Sequence, residues 1–330
     1  MSNSSNPTPA SSRTNTRRGE GSGWRSEVRR RLEEAIADSR EQSETPLAVF
    51  DFDNTCIAGD IGELFSHFLI DEMAYRYDLD EFWELIDPRD GREQIRELTM
   101  EALELDRQQR EHSDVYREYL AEMGAVYGRK YAREGRASCY RWAVRLHVGM
   151  TPKQIRQLTH EAIDREMASA MATEQRETGR GETVRIRRGI RRLAEIHRLM
   201  GRLSHAGFDV WIVSATNRWS VEAFAERGFG VPPERVLGNR VTVDEKGRLT
   251  DATQHPVLFG EGKVDIIDQE IGRRPAIVLG DSITDLEMME HATHMPLLID
   301  HGNEPARQRA RERGWAVQPQ GELTHERELE

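Results

Sequence analysis

Leu47-Ala48-Val49-Phe50-Asp51-Phe52-Asp53-Asn54-Thr55 is the stretch that decides the fold. Four apolar residues breaking abruptly into carboxylates read as a buried strand that ends in a polar loop. Two later stretches end the same way. Val210-Trp211-Ile212-Val213 runs into Ser214-Ala215-Thr216-Asn217, and Ala276-Ile277-Val278-Leu279 runs into Gly280-Asp281-Ser282. From about residue 185 helical patterns alternate with such strands. Leu193, Ile196, Met200 and Leu203 fall on a helix closed by Gly207, a helix spans about Lys263 to Ile271, and Pro296-Leu297-Leu298-Ile299 reads as the last strand. Between them, Val241-Thr242-Val243 and Arg248-Leu249-Thr250 flank a polar turn and read as a small hairpin. The alternation predicts an α/β fold with a parallel sheet, in which the carboxyl ends of the strands line one crevice.

Working outward, residues 61–183 show helical spacing almost throughout. Ile61, Leu64, Phe65, Phe68 and Leu69 make one apolar stripe, and Ile95, Leu98, Leu103 and Leu105 contribute to another. Thr151-Pro152 is a good helix start. This stretch reads as an inserted helical domain, with the polar run Ala172 to Thr183 as the linker back to the body. The body then comprises residues 24–60 and 184–320. At the amino end, Trp24, Val28, Leu32, Ala35 and Ile36 lie on one face of a helix. Residues 1–23 are too polar to offset the entropy of ordering and read as a disordered tail, and residues 321–330 as a polar C-terminal tail.

The 330 residues include 47 basic and 58 acidic side chains, a formal charge of −11. That balance argues against a duplex nucleic acid partner, whose phosphates call for a basic face. No window approaches the roughly 18 continuous apolar residues of a membrane span, and the start of the chain has no secretory apolar core. With two cysteines, Cys56 and Cys139, a disulfide framework is not expected, which points to a cytoplasmic location.

The three strand ends carry residues suited to phosphoryl transfer. Two carboxylates two residues apart, Asp51 and Asp53, can serve one small site, one attacking phosphorus and the other protonating the leaving oxygen. Several carboxylates in one cleft repel one another unless a cation is present, and Mg²⁺ takes such oxygen ligands together with phosphate oxygens. Ser214 and Lys263 supply donors for the negative phosphoryl oxygens.

The ordered set Asp51-Phe52-Asp53-Asn54-Thr55, Ser214, Lys263 and Gly280-Asp281-Ser282-Ile283-Thr284-Asp285 resembles the haloacid dehalogenase superfamily of phosphatases. The helical insert lies where that superfamily often places a cap. The resemblance implies a Rossmann-like core, an aspartyl-phosphate mechanism and a small phosphorylated metabolite as substrate. Asp51 is then the nucleophile and Asp53 the general acid and base, with Thr55 shaping the loop. Ser214 and Lys263 hold the phosphoryl group. Asp51, Asp281 and the backbone carbonyl of Asp53 bind Mg²⁺, and Asp285 orients metal-bound water or Lys263. Within the superfamily the chain looks most like the phosphoserine and phosphorylcholine phosphatase branch. The other functions compatible with these residues are a catalytically silent phosphate-binding module and a phosphotransferase.

Asp60 and Glu63 stand three apart at the start of the insert. They read equally as helix-capping acids and as contacts for an amine-bearing leaving group such as that of phosphoserine or phosphorylcholine. Trp83, Trp142, Tyr75, Tyr77 and Tyr140 read as insert core, with an aromatic substrate wall as the alternative. Arg185, Arg187, Arg188, Arg191 and Arg192 read as a solvated helix face.

Overall fold

A computed structural model of the chain describes residues 23–329. Apart from Gly23, the segment expected to be a disordered tail lies outside the described residues. The chain begins with α1 (Ser26–Gln42), β1 (Leu47–Phe50) and β2 (Ile57–Ala58). It then makes α2 (Ile61–Asp71), α3 (Asp80–Glu84), α4 (Arg92–Leu103), α5 (Arg107–His112), α6 (Asp114–Glu134), α7 (Arg136–Arg145) and α8 (Pro152–Ala168). The strands β3 (Ala172–Glu177), β4 (Thr183–Arg188) and β5 (Arg191–Leu193) follow, then α9 (Ala194–His205), β6 (Asp209–Asn217) and α10 (Arg218–Phe229). Next come β7 (Val236–Asn239), β8 (Val241–Val243), β9 (Leu249–Thr253), α11 (Glu261–Glu270), β10 (Ile277–Gly280) and α12 (Leu286–Glu290). The last elements are β11 (Met295–Asp300), α13 (Glu304–Arg313), β12 (Ala316–Pro319) and β13 (His325–Glu326).

Six strands form one parallel sheet in the order β12-β11-β10-β1-β6-β7. The fold is thus the expected α/β core carrying a largely helical insertion. Strand β1 is central because both of its faces are apolar. Ala48 and Phe50 pack into one core cluster, Leu47 and Val49 into the other. A strand buried on both sides has no polar alternation, which is why its sequence is a continuous apolar run. Phe50 pairs with Ile212 on one side and Leu279 on the other, so the three polar strand ends emerge side by side. The chain order departs from β1 in both directions, placing the topological switch point, and the crevice, above Asp51.

The insertion packs around buried Phe65, Phe82, Trp83 and Tyr119. The Trp83 indole donates to the Tyr77 carbonyl at 2.9 Å, which makes Trp83 a core residue, not a wall. Thr151 and Gln154 form a capping box with Pro152 at the first helical position, starting α8 as the sequence predicts.

Four expectations need correction. The polar run read as a linker is half of a β-hairpin, with Ala172 opposite Arg188 and Glu177 opposite Thr183. Glu174 pairs with Arg176 (2.7 Å) and Arg188 (2.9 Å), and the apolar alternation is confined to Val184 and Ile186 on β4, too short to read as a strand. The arginine cluster is not a helix face. Arg185, Arg187 and Arg188 lie on β4, while Arg191 and Arg192 lie on β5 and are buried, 2% and 4% exposed. Arg192 donates to the Gly228 carbonyl at 2.9 Å and pairs with Glu326 at 2.7 Å. The C-terminal tail is docked by that pair: β13 pairs with β5, Leu323 is buried, and Glu195 accepts from the Thr324 amide at 2.8 Å. Finally, β12 extends the sheet beyond the strand read as last. No helix among the described residues is long and apolar enough to cross a membrane.

Candidate active site

The loop after β1 turns sharply, with Asn54 at φ 57°, a left-handed conformation that asparagine tolerates better than other side-chain-bearing residues. The Gln320 side chain ties this loop down by donating to the Asn54 carbonyl at 2.6 Å. The turn directs Asp51 and Asp53 to different partners. One Asp51 oxygen accepts from the Thr55 hydroxyl at 3.0 Å and the other from Lys263 Nζ at 2.7 Å. Lys263, fully buried at the start of α11, also donates to Asp285 at 2.6 Å. The second Asp285 oxygen accepts from the amides of Asp281 and Ser282 at 3.1 Å each.

Asp53 is held by the other wall. Its Oδ1 accepts from the Ile61 amide, the first of α2, at 2.6 Å, and its Oδ2 from the Thr216 hydroxyl at 2.7 Å. Ser214 Oγ lies 3.5 Å from that same oxygen and accepts from the Thr216 amide at 3.1 Å. The ladder between β6 and β7 shifts register between Val213 and Asn217, an irregularity at the point where these hydroxyls are presented. Gly62 allows α2 to approach: a Cβ there would sit 2.7 Å from Thr216 Oγ1. The structure thus brings Asp51, Asp53, Thr55, Ser214, Lys263, Asp281 and Asp285 into one site.

The electrostatics are unbalanced. Three buried aspartates, Asp51, Asp281 and Asp285, and the half-buried Asp53 stand near one ammonium, which is paired with Asp51 and Asp285. Burial and the neighbouring Asp285 push Asp51 up to about 6, against the opposing pull of Lys263. Burial, then Asp60 and Asp51, raise Asp53 well above the usual carboxylate range. Burial with Asp285 and Asp51 does the same to Asp281. Burial works against charge on Asp285 too, but Lys263 and the loop amides hold it below its ordinary value. Asp51, Asp281 and Asp285 have carboxylate oxygens within 4.8 Å of one another. An all-oxygen donor set with excess negative charge fits Mg²⁺. Asp285 accepts from Lys263, the two amides and the hydroxyls of Ser282 and Thr284, whereas each Asp51 oxygen accepts a single hydrogen bond and Asp281 is met by His301, so Asp51 and Asp281 are the side chains with more capacity for the ion. The Asp53 carboxylate stands outside this cluster, leaving only its backbone carbonyl for such a role.

Above the aspartates a cavity of about 770 Å³ extends into the insertion. Asp60 and Glu63 line it, but both are engaged. Asp60 caps α2, accepting from the Glu63 amide at 2.8 Å, and Glu63 is paired with Arg187 at 2.6 Å. Tyr75, Tyr140 and Trp142 also face the cavity, so part of the aromatic set does form a wall. Three participants escaped the sequence reading in these roles. Thr216 was visible only as part of a strand end. His301, 2.6 Å from Asp281, follows β11. A polar residue just past a parallel strand is the signal that picked out Asp281, and it applies equally to His301. Arg187, the penultimate residue of β4, left no such signal.

Comparison with known proteins follows from this geometry. Curated proteins give no match. Among solved structures, a conserved functionally unknown protein from Anaerococcus prevotii DSM 20548 is 24% identical, with a TM-score of 0.79 over 90% of this chain and 92% of that one. A protein with unknown function from Bordetella pertussis Tohama I is 17% identical, with a TM-score of 0.55 over 84% of this chain and 99% of that one. A substrate-bound phosphoserine phosphatase is also matched, at 14% identity and a TM-score of 0.43 over 84% and 94%. At these identities the likeness shows the fold alone. The haloacid dehalogenase-like hydrolase family matches residues 120–290, just over half of the chain and including the second and third strand-end motifs. The chain belongs to the haloacid dehalogenase-like hydrolases.

Proposed function

We propose that the protein is a Mg²⁺-dependent phosphomonoesterase that hydrolyses a small phosphorylated metabolite through an aspartyl-phosphate. The observation that carries this reading is the division of labour between Asp51 and Asp53. Asp51 is gripped by Lys263 and Thr55 beside Asp281, while Asp53, on the opposite wall, is held by Thr216 and the Ile61 amide.

An Asp51 oxygen attacks phosphorus as the bond to the leaving oxygen breaks, and Asp53 gives that oxygen its proton. The raised affinity of Asp53 for a proton suits it to this step near neutral pH. Water then attacks the phosphorus of the aspartyl-phosphate, Asp53 takes its proton, and the Asp51 carboxylate is released with inorganic phosphate. Lys263 and Ser214 offer donors to the equatorial oxygens. When bound at Asp51 and Asp281, Mg²⁺ would neutralise charge on the phosphoryl oxygens and relieve the repulsion among the carboxylates.

The case for an amine-bearing leaving group at Asp60 and Glu63 is weakened, because one Asp60 oxygen caps α2 and the charge of Glu63 is met by Arg187. The two free, buried cysteines support a reducing, cytoplasmic setting. Hydrolysis of an aryl phosphate measured with Mg²⁺ and with chelator tests the reading. Activity requires the metal, and Asp51→Asn brings turnover to background because an amide is not a competent nucleophile. Near wild-type turnover in that variant would overturn it.

A further inference from the structure

The part of the cavity lined by α2 and the turn after α7 contains polar groups that nothing in the hydrolytic chemistry uses. His147, in the turn after α7, is 3% exposed and lines the cavity, yet neither of its ring nitrogens has a hydrogen-bond partner among the described residues. His67, on α2, lines the same cavity at 8% exposure, and its Nδ1 is likewise without a partner. A buried imidazole left unsatisfied costs free energy, and a protein carries such a group where something else completes it. The rings are well packed. His147 stacks on Tyr75 with centroids 6.3 Å apart and sits 5.7 Å from Phe65.

The charge around this end decides what would complete it. The groups facing His67 are Glu63, Asp71, Arg176 and Arg188. Asp71 is clamped by Arg165 (3.0 Å), Arg176 (3.0 Å) and Arg188 (2.9 Å), and Glu63 by Arg187, so both acids facing His67 are already paired. Burial holds both histidines neutral, at about 4 each. A neutral imidazole offers one N–H and one lone pair. Phosphate and carboxylate only accept, and ammonium only donates, whereas a hydroxyl does both. Tyr75 packs beside His147, and Tyr140 and Trp142 line the same cavity, aromatic surface suited to the C–H face of a sugar ring. The volume leaves room beyond the phosphoryl group for an alcohol of hexose size.

We propose that His67 and His147 form a leaving-group subsite for an uncharged polyhydroxylated alcohol, so that the preferred substrates are phosphate monoesters of sugars or polyols. This rests on the phosphomonoesterase reading and names its substrate class. The test compares kcat/KM for a hexose phosphate, phosphorylcholine, phosphoserine and an aryl phosphate, in the wild type and in His147→Phe and His147→Gln, all with Mg²⁺. The hexose phosphate is expected to be preferred over both amines. His147→Phe is expected to lower its kcat/KM about tenfold while changing the aryl phosphate by less than about twofold. His147→Gln, which keeps a neutral donor and acceptor, recovers part of the loss. The ligand-free melting temperature of His147→Phe is expected to equal or exceed that of the wild type, since no internal hydrogen bond is lost.

A preference for either amine, equal losses on hexose and aryl phosphates, or a lower melting temperature with both activities falling together would overturn the subsite. The same comparison with His67→Phe serves if His147→Phe does not fold, with the same outcomes required. Intact aryl phosphate hydrolysis without hydroxyl dependence removes this inference alone. Absence of any hydrolysis in the wild type removes the phosphatase reading and the subsite with it.

Discussion

Two clusters of buried and half-buried acids stand in this molecule, one in the insertion and one at the sheet, and they are built on opposite principles. In the insertion, Asp71, Glu166 and Glu174 are met by Arg165, Arg176 and Arg188, with Arg188 touching all three acids. Burial opposes the charge on Glu174, but Arg176 and Arg188 hold it below its ordinary value. At the sheet, Lys263 is paired with Asp51 and Asp285 while Asp53 and Asp281 stand near by, and three of the four acids are pushed upward. Equal numbers of opposite charges lock an element in place. An excess of one sign is a cost that a ligand can relieve, and in the proposed reaction those ligands are a cation and a phosphoryl group.

Breaking the unbalanced cluster has the largest effect on chemistry. Asp53→Asn, measured as kcat with a poor leaving group, is expected to fall about 100 to 10,000-fold, the range for losing a positioned general acid. A good leaving group needs less protonation and should lose less in the acylation-like first step. An unchanged rate with the poor leaving group removes Asp53 from that role.

Metal addition sharpens the contrast by pH. Asp51 ionises near 3.8 in the unfolded chain and at about 6 when folded. The folded state therefore holds its proton longer, so the metal-free protein loses stability as pH rises from about 4 to 6. Once these carboxylates are ionised, Mg²⁺ at 100 times its dissociation constant adds about 2.7 kcal/mol. The Mg²⁺-induced rise in melting temperature should be small at pH 5 and full at pH 7.5. A rise independent of pH, or none at pH 7.5, would place the ion elsewhere.

The smallest expected effect separates the clusters in stability. Asp71→Asn strips its arginines of a partner and is expected to cost about 2 kcal/mol in denaturant unfolding, with aryl phosphate turnover retained. Asp281→Asn should do the reverse in chelator at pH 7. It relieves repulsion, so the midpoint holds or rises while activity is lost. If both variants are destabilised alike, the distinction between balanced and unbalanced clusters fails.

The core was legible because its signals are local. A strand buried on both faces must be continuously apolar, and a site above it must begin where that run stops, so Leu47 to Asp53 announced the strand and the carboxylates together. Ser214, Lys263 and Asp281 were legible for the same reason, each standing at a strand end or helix start. The hairpin of β3 and β4 was not, because β3 is polar after Ala172 and β4 offers only Val184 and Ile186 between charged residues, too short an apolar period to stand out. The docking of residues 321–329 was hidden in the same way: Leu323 and the Arg192–Glu326 pair mean nothing until β5 is beside them. Asp60 and Glu63 show the boundary most plainly. Their types and spacing followed from the sequence alone, whereas the capping bond and the partner Arg187, 124 residues away, were decided by the tertiary fold, since the field at a carboxylate depends on charges that only folding brings near.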